Sequence, residues 1–270
     1  MQAIDFHAHA FPDAIAERAI PALEEEGDIQ AVLDGKLSSL LESMDLAGIE
    51  TSVICSIATK PGQFDPILGW SLSIASERIV PLASIHPRDP RPVDRVRAVR
   101  EAGLRGIKLH PYYQDFDLAD ESMFPLYAAL EEHGLLVVCH TGFDLAFERV
   151  RRADPKRILT VLERFPDLRF VATHLGAWED WEEAYAHLVG KPIYLETSFA
   201  VPYLDREEAR RILLQHPPDR LLFGSDSPWA GQKESMDELR ELGLPEAVER
   251  RLFRDNARRL LAVTAPGCGR

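Results

Sequence analysis

The chain has 270 residues, of which 46% are hydrophobic and 28% are charged. This composition is typical of a globular protein with a sizeable core, and the length suits one domain better than two. The formal net charge of −13 disfavours nucleic acid and anionic membranes as partners, because both would be repelled. It does not exclude a small anionic substrate, since a local cation or metal can reverse the field inside a pocket.

Three cysteines, Cys55, Cys139 and Cys268, are widely spaced and form no CxxC pair. This pattern favours free thiols in a reducing cytosol over a disulfide framework. The N-terminus shows no basic segment followed by an apolar run, and no stretch approaches ~18 uninterrupted apolar residues. We therefore expect a cytoplasmic protein with no membrane partner.

Short β-branched runs alternate with longer amphipathic stretches along the whole chain, which indicates βα units and a parallel sheet. The predicted strands are Ala3–His9, Thr51–Ser56, Val80–His86, Gly106–His110, Leu135–His140, Arg169–His174, Pro192–Thr197 and Arg220–Asp226. The predicted helices are Lys36–Ala47, Pro92–Ala102, Ser122–His133, Lys156–Phe165, Trp178–Leu188 and Arg206–Gln215. Eight such units predict a single (β/α)8 TIM-barrel domain over residues 1–270, with a doubly wound sheet as the alternative.

The connection after the first predicted strand is longer than the others. This insertion, Phe11–Gly35, contains Pro12, Pro21 and the acidic run Glu24–Glu26. It could be a lid near the barrel mouth or a solvated helix and loop, and the sequence favours neither. The C-terminal tail, Thr264–Arg270, is expected to be frayed.

Side chains that can bind a metal stand at the ends of five predicted strands. They are His7 and His9 on the first, Lys108 and His110 on the fourth, His140 on the fifth, His174 on the sixth and Asp226 on the eighth. Side chains two residues apart on a strand lie on the same face of it. His7 and His9 therefore share one face of their strand, as do Lys108 and His110. Active sites of such barrels lie at the carboxyl ends of the strands. We therefore expect these groups to meet in one small volume.

The remaining polar and aromatic residues have simpler explanations. His133, His187 and His216 fall in helices or at helix ends, where a structural role is more common than a ligand role. His86 precedes Pro87 and could pack or line the site. Trp229, Tyr112 and Tyr113 follow strand ends and could line the pocket or pack loops, whereas Gly142 and Gly176 suit tight turns.

Six segments carry a family resemblance: IDFHAHAFP at the start, then GIKLHP, VVCHTG, ATHLG, LLFGSDSPW and the closing NARRLL. Together they resemble the amidohydrolase superfamily, and within it the amidohydrolase-related group that includes aminocarboxymuconate-semialdehyde decarboxylase. The resemblance covers essentially the whole chain. It implies a distorted (β/α)8 barrel with a divalent metal on His7, His9, His140 and Asp226. It also implies that His174 is a catalytic acid/base or a ligand of a second metal.

Three neutral imidazoles and one carboxylate suit Zn²⁺, with Mn²⁺, Fe²⁺ or Ni²⁺ also compatible. Such a metal lowers the pKa of water toward ~7, and Asp226 is expected to accept that proton and deliver it to a leaving group. The Ser227 hydroxyl or a backbone group would orient Asp226. Lys108, His110 and Trp229 are the predicted substrate-binding residues. We predict a free Lys108 ammonium that binds a substrate carboxylate beside one metal; the rival is a carboxylated lysine bridging two metals.

The leading functional hypothesis is hydrolysis of an amide, ester or lactone bond in a small molecule, possibly a carboxylated one. The second is non-oxidative decarboxylation of an unsaturated or aromatic acid. The HAHAFP segment most resembles the decarboxylase branch of the family. A metal-free lactonase and a non-catalytic metal-binding protein are further alternatives. A homodimer is compatible with all of them.

Overall fold

Eight parallel strands form the centre of the protein in the computed structural model, which describes residues 2–262. They are β1 (Ala3–Ala8), β2 (Ile49–Cys55), β3 (Ile79–Leu82), β4 (Gly106–Leu109), β5 (Leu136–Cys139), β6 (Arg169–Ala172), β7 (Tyr194–Glu196) and β8 (Leu221–Leu222). The predicted frayed tail and Cys268 lie outside the described residues.

The strands follow one another in chain order in two sheets, β1-β2-β3 and β4-β5-β6-β7-β8. Single bridges join the sheets: Ala83 pairs with Ile107 between β3 and β4, and Ala8 pairs with Ser227 between β1 and the segment after β8. A doubly wound sheet would reverse its strand order, and this one does not. The predicted (β/α)8 barrel is therefore confirmed, in a distorted form with few hydrogen bonds where the two sheets meet.

Helices fill the connections between the strands. They are α1 (Asp13–Gly27), α2 (Leu37–Ala47), α3 (Phe64–Ile74), α4 (Pro92–Glu101), α5 (Phe124–Glu132), α6 (Pro155–Arg164), α7 (Trp181–His187), α8 (Arg206–Gln215), α9 (Gln232–Glu241), α10 (Glu246–Arg250) and α11 (Asn256–Ala262). Helix α8 has the predicted bounds, because Asp205 caps it by accepting from two backbone N–H groups, those of Glu207 and Glu208. Its buried residues Ala209 and Ile212 lie three apart, on the side that packs inward.

The strands are apolar on both faces because each face packs on something. Phe6, Val138 and Leu222 belong to a small cluster of buried residues, and Val137 and Phe170 belong to the large one. A strand buried on both faces leaves polar groups little room except at its ends. Among the described residues, no helix is long and apolar enough to cross a membrane.

Several strands end earlier than predicted. β1 stops at Ala8 and β8 at Leu222, so His9 and Asp226 lie in the loops that follow. β6 likewise stops at Ala172, before His174. His174 and Asp226 have φ values of 57° and 69°, so neither residue can itself belong to a strand. The shorter strands still place these side chains at the carboxyl end of the barrel.

Candidate active site

The carboxyl ends of the strands open into a cavity of about 870 Å³. It is lined by every predicted site residue: His7, His9, Lys108, His110, His140, His174, Asp226 and Trp229. Tyr112 and Tyr113 line it as well. His86 is not among the lining residues; its Nδ1 accepts a hydrogen bond from the backbone N–H of Arg88 instead.

Three of the predicted metal ligands meet at the floor of this cavity. The Asp226 Oδ1 atom lies 3.1 Å from His9 Nε2 and 3.3 Å from His7 Nε2. The ligand atoms of all three residues lie within 4.8 Å of one another, a spacing that a metal ion can bridge. The fourth predicted ligand, His140, is not a member of this group.

Backbone contacts position the Asp226 carboxylate. Its backbone N–H donates to the carbonyl of His7 at 2.8 Å, and its left-handed φ stores strain that the surrounding contacts must offset. The Ser227 hydroxyl has no hydrogen-bond partner among the described residues, so it does not orient the carboxylate. Burial opposes ionisation, but His7 and His9 outweigh it and hold the pKa of Asp226 well below its usual range.

A buried carboxylate and hydroxyl hold the other side of His7. Its Nδ1 lies 3.0 Å from Glu196 Oε2 and 2.9 Å from Ser198 Oγ. Ser198 donates its hydroxyl and its backbone N–H to the Glu196 carboxylate. A Cβ at Gly224 would overlap the Glu196 carboxylate, which explains why glycine stands there. Sequence reasoning missed Glu196, although it ends β7 as a carboxylate on the predicted rim.

His140 and His174 present free nitrogens to each other. His174 Nδ1 lies 3.0 Å from the Ser198 carbonyl, and His140 Nε2 lies 2.8 Å from the Phe143 carbonyl. Because a carbonyl only accepts, both of these nitrogens carry the proton. His140 Nδ1 and His174 Nε2, 3.0 Å apart, therefore face each other as lone pairs in the neutral rings. Such a pair suits a proton or a metal ion, since two lone pairs repel without one.

Burial keeps these imidazoles neutral. Burial lowers the pKa of His7 well below the usual value, and the nearby Lys108 lowers it further. Burial and the neighbouring His140 do the same for the pKa of His110. Burial also lowers the pKa of His140. For His174, burial and the neighbouring His140 lower the pKa to about 3. Metal ions bind neutral imidazole, so this donor set fits a divalent metal better than it fits a bound proton.

Lys108 lies at the same floor. Its side chain is almost fully buried, and its Nζ donates to His7 Nε2 at 2.8 Å. That nitrogen is also the one that His7 would offer to a metal. The ammonium and a metal ion therefore compete for one lone pair, a coupling that sequence reasoning did not foresee.

A second acidic group, Asp144, enters the cavity from the loop after β5. Its Oδ2 lies 3.4 Å from His110 Nε2 and 3.7 Å from His140 Nε2. The imidazole rings of His110 and His140 stack with their centroids 4.1 Å apart. The proton on His140 Nε2 points at Phe143, so this nitrogen has no lone pair for a metal. We interpret Asp144 as a partner of His110, and no feature of the sequence alone singled it out.

Gly142 confirms the tight turn predicted beside the site. Its φ is 89°, and a Cβ there would overlap the backbone of Trp178, with which it forms a bridge. That bridge joins the loops after β5 and β6 and keeps His140 close to His174. Gly176 also has a positive φ of 96°.

Comparison with known proteins places the chain in a family. The Amidohydrolase family model matches residues 4–263, nearly the whole chain. A dihydroorotase from Pseudoalteromonas atlantica is 26% identical over 201 residues, 70% of this chain and 54% of that protein. The chain thus spans about half the length of this curated relative.

Solved structures show the same fold over almost the full length. An uncharacterised TIM-barrel protein from Bordetella bronchiseptica has a TM-score of 0.78 at 21% identity, covering 97% of this chain and 99% of that one. A 2,6-dihydroxybenzoate decarboxylase has a TM-score of 0.73 at 16% identity, covering 97% and 100%. A manganese-bound 5-carboxyvanillate decarboxylase from Novosphingobium aromaticivorans has a TM-score of 0.69 at 14% identity, covering 97% of each chain.

A (β/α)8 barrel with imidazoles and a carboxylate at the carboxyl ends of its strands has the arrangement of a barrel enzyme, whose active site lies at that end. With the family match over residues 4–263, the chain belongs to the amidohydrolase family. The resemblance found in the sequence is thereby confirmed. The solved structures show the fold alone, since each is less than 25% identical to this chain.

Proposed function

We propose that this amidohydrolase-family enzyme hydrolyses an amide, ester or lactone bond of a small molecule with the help of one divalent metal ion. The observation that carries the proposal is the Asp226 carboxylate, whose Oδ1 meets His7 Nε2 and His9 Nε2 at the cavity floor. A carboxylate in this position can take a proton from water and return it to a leaving group.

Four residues of this donor set would hold the metal. They are His7, His9 and Asp226, with His140 as the fourth ligand through its free Nδ1. Zn²⁺ and Mn²⁺ suit such nitrogen and carboxylate donors. When bound, the ion would supply Lewis-acid chemistry and a lower pKa for water in the cavity.

The protein's own groups would do the remaining work. Asp226 moves the proton between water and the leaving group. The His174 imidazole, whose Nδ1 donates to the Ser198 carbonyl, would donate or accept a proton through Nε2. Lys108 can pair with a carbonyl oxygen or carboxylate once it releases His7. His110 and Trp229 border the space where the substrate would lie.

The experiment combines metal counting with activity. Protein purified without chelators should hold about one divalent ion per chain, and a variant with His7→Ala and His9→Ala should hold none. A panel of lactones, esters, amides and carboxylated arenes identifies the bond that is cleaved. Asp226→Asn should then lower turnover by ~10²–10⁴-fold with an unchanged circular-dichroism spectrum. The exposed Asp94→Asn is the matched control and should keep full activity.

Three results would overturn the proposal in different ways. Release of CO2 from a carboxylated arene, with no hydrolysis, would establish the decarboxylase alternative. Full activity after the metal is stripped would establish the metal-free lactonase. Stoichiometric metal in the double histidine variant would show that the ligands are elsewhere.

A further inference from the structure

Helix α1 has one wide apolar face, and part of that face lines the cavity rather than the core. Ala16 and Ile20 are buried on the inner side. The residues of α1 that line the cavity with apolar side chains are Ile15, Ala19, Ala22 and Leu23. Their spacing of four, three and one places them in a single stripe along the helix. Ile15 remains 45% exposed, so this stripe is incompletely covered by the described chain.

Two other elements turn apolar side chains to the same space. Helix α3 contributes a stripe of its own, Pro66, Ile67 and Trp70. The loop after β5 contributes Leu145 and Phe147, which are 47% and 36% exposed. Apolar side chains that converge on one cavity and stay open to water mark a surface that a ligand covers.

The charges in the cavity are unevenly placed. Among its described lining residues Lys108 is the single lysine or arginine, and it lies at the floor beside His7. Asp144 lies against His110, and Glu26 of α1 adds a further carboxylate to the lining. An anionic group beside α1 would meet Glu26 with no lysine or arginine of the described lining next to it. The side of the cavity beside α1 therefore selects against negative charge.

We propose that the substrate carries an uncharged alkyl or aryl group, which binds between α1, α3 and residues 144–147 while the bond to be cleaved lies at the floor. This inference rests on the proposed function and names its substrate class, a neutral amide, ester or lactone with an apolar tail. Any carboxylate of the substrate belongs at the floor, beside Lys108.

Direct binding tests the inference without relying on catalysis. The probe is N-phenyl-1-naphthylamine, a neutral dye whose fluorescence rises in apolar surroundings, and the competitors are linear amides from butanamide to octanamide. Each added methylene should tighten binding by about fourfold until the tail fills the cavity. Suberic acid monoamide has the same chain length with a carboxylate at the far end of the tail, and it should compete at least ~10-fold less well than octanamide.

Exposed positions allow variants that leave the core untouched. Ile15→Gln and Leu145→Gln should each weaken octanamide binding by at least ~5-fold. The matched control is Leu72→Gln, which replaces a 46% exposed leucine of α3 outside the cavity lining and should bind like the parent. Thermal unfolding of all variants checks the fold.

Equal octanamide affinity in all four proteins, or competition by suberic acid monoamide as strong as by octanamide, would overturn the inference. Because the readout is binding, its failure is distinct from a failure to hydrolyse. A chain that cleaves small substrates yet shows no tail-length dependence would keep the proposed function and lose this inference.

Discussion

The substitution Glu196→Gln tests whether the group behind His7 controls the metal ligand. In the structure Glu196 accepts from three donors: Oε1 from the Ser198 backbone, and Oε2 from the Ser198 hydroxyl and from His7 Nδ1. Glutamine has one acceptor oxygen and an NH2 group. Whichever way its amide turns, the NH2 group faces at least one of these donors.

The magnitude follows from these contacts. Losing a partner behind a metal-binding histidine typically weakens metal affinity by ~10–100-fold, which equals about 1.4–2.7 kcal/mol. A buried donor left without an acceptor costs about 1–3 kcal/mol of folding stability, which is of the same size. We therefore expect Glu196→Gln to bind Zn²⁺ at least ~10-fold more weakly and to unfold at a lower temperature.

Competition against a fluorescent zinc chelator measures the dissociation constant, and circular dichroism during heating measures the loss of stability. Glu241→Gln, at a side chain 65% exposed far from the cavity, is the control and should change neither value. If Glu196→Gln lowered the melting temperature but left zinc affinity at the parent value, the hydrogen bond would be structural only. Glu196 would then have no part in orienting His7 toward a metal.

Three further predictions concern stability and charge. Burial lowers the pKa of His216 to about 4. The folding stability that depends on its neutral form is therefore present above pH 6.5 and is lost as the pH falls toward 4. Urea unfolding at pH 7 and pH 4.5 should show parent stability falling by up to about 3 kcal/mol more than that of His216→Gln. Gly142→Ala should cost at least about 2 kcal/mol in the same assay, whereas Gly103→Ala, with a similar φ and no neighbour within 4 Å, should cost about 1 kcal/mol. Equal costs would refute the overlap. Lys108→Met should bind zinc at least as tightly as the parent, and weaker binding would indicate a bridging carboxylated lysine.

The strand pattern made the barrel and its rim predictable. Each apolar run had to be buried on both faces, so the polar residue at its end, such as His140 or His174, could only lie at the mouth. The sequence could not show that His174 and Asp226 lie beyond their strands, because the left-handed backbone at these two residues is not visible in the residue pattern. Nor could it show the tautomer of an imidazole, which depends on a carbonyl from a distant segment.

Helix α1 shows a different limit of sequence reasoning. Pro21 lies inside it and Pro12 precedes it, and both weaken a helix prediction, so the sequence is compatible with either a lid or a solvated helix and loop. The fold stabilises the helix through Ala16 and Ile20, which pack inward. The apolar residues of α1 that line the cavity can be interpreted only once the cavity is known. Tertiary packing therefore decides both the presence of this helix and the use of its outer side.

The charge balance at the cavity floor explains why Lys108 and a metal are coupled. Two carboxylates, Asp226 and Glu196, lie against His7, and the Lys108 ammonium lies 2.8 Å from the same ring. The Asp226 carboxylate and the Lys108 ammonium carry opposite charges, and a divalent ion would add two positive charges beside them. Since the ammonium and such an ion would repel each other in a buried site, we expect a bound metal to move the Lys108 ammonium away from His7. Lys108 would then be available to pair with a substrate.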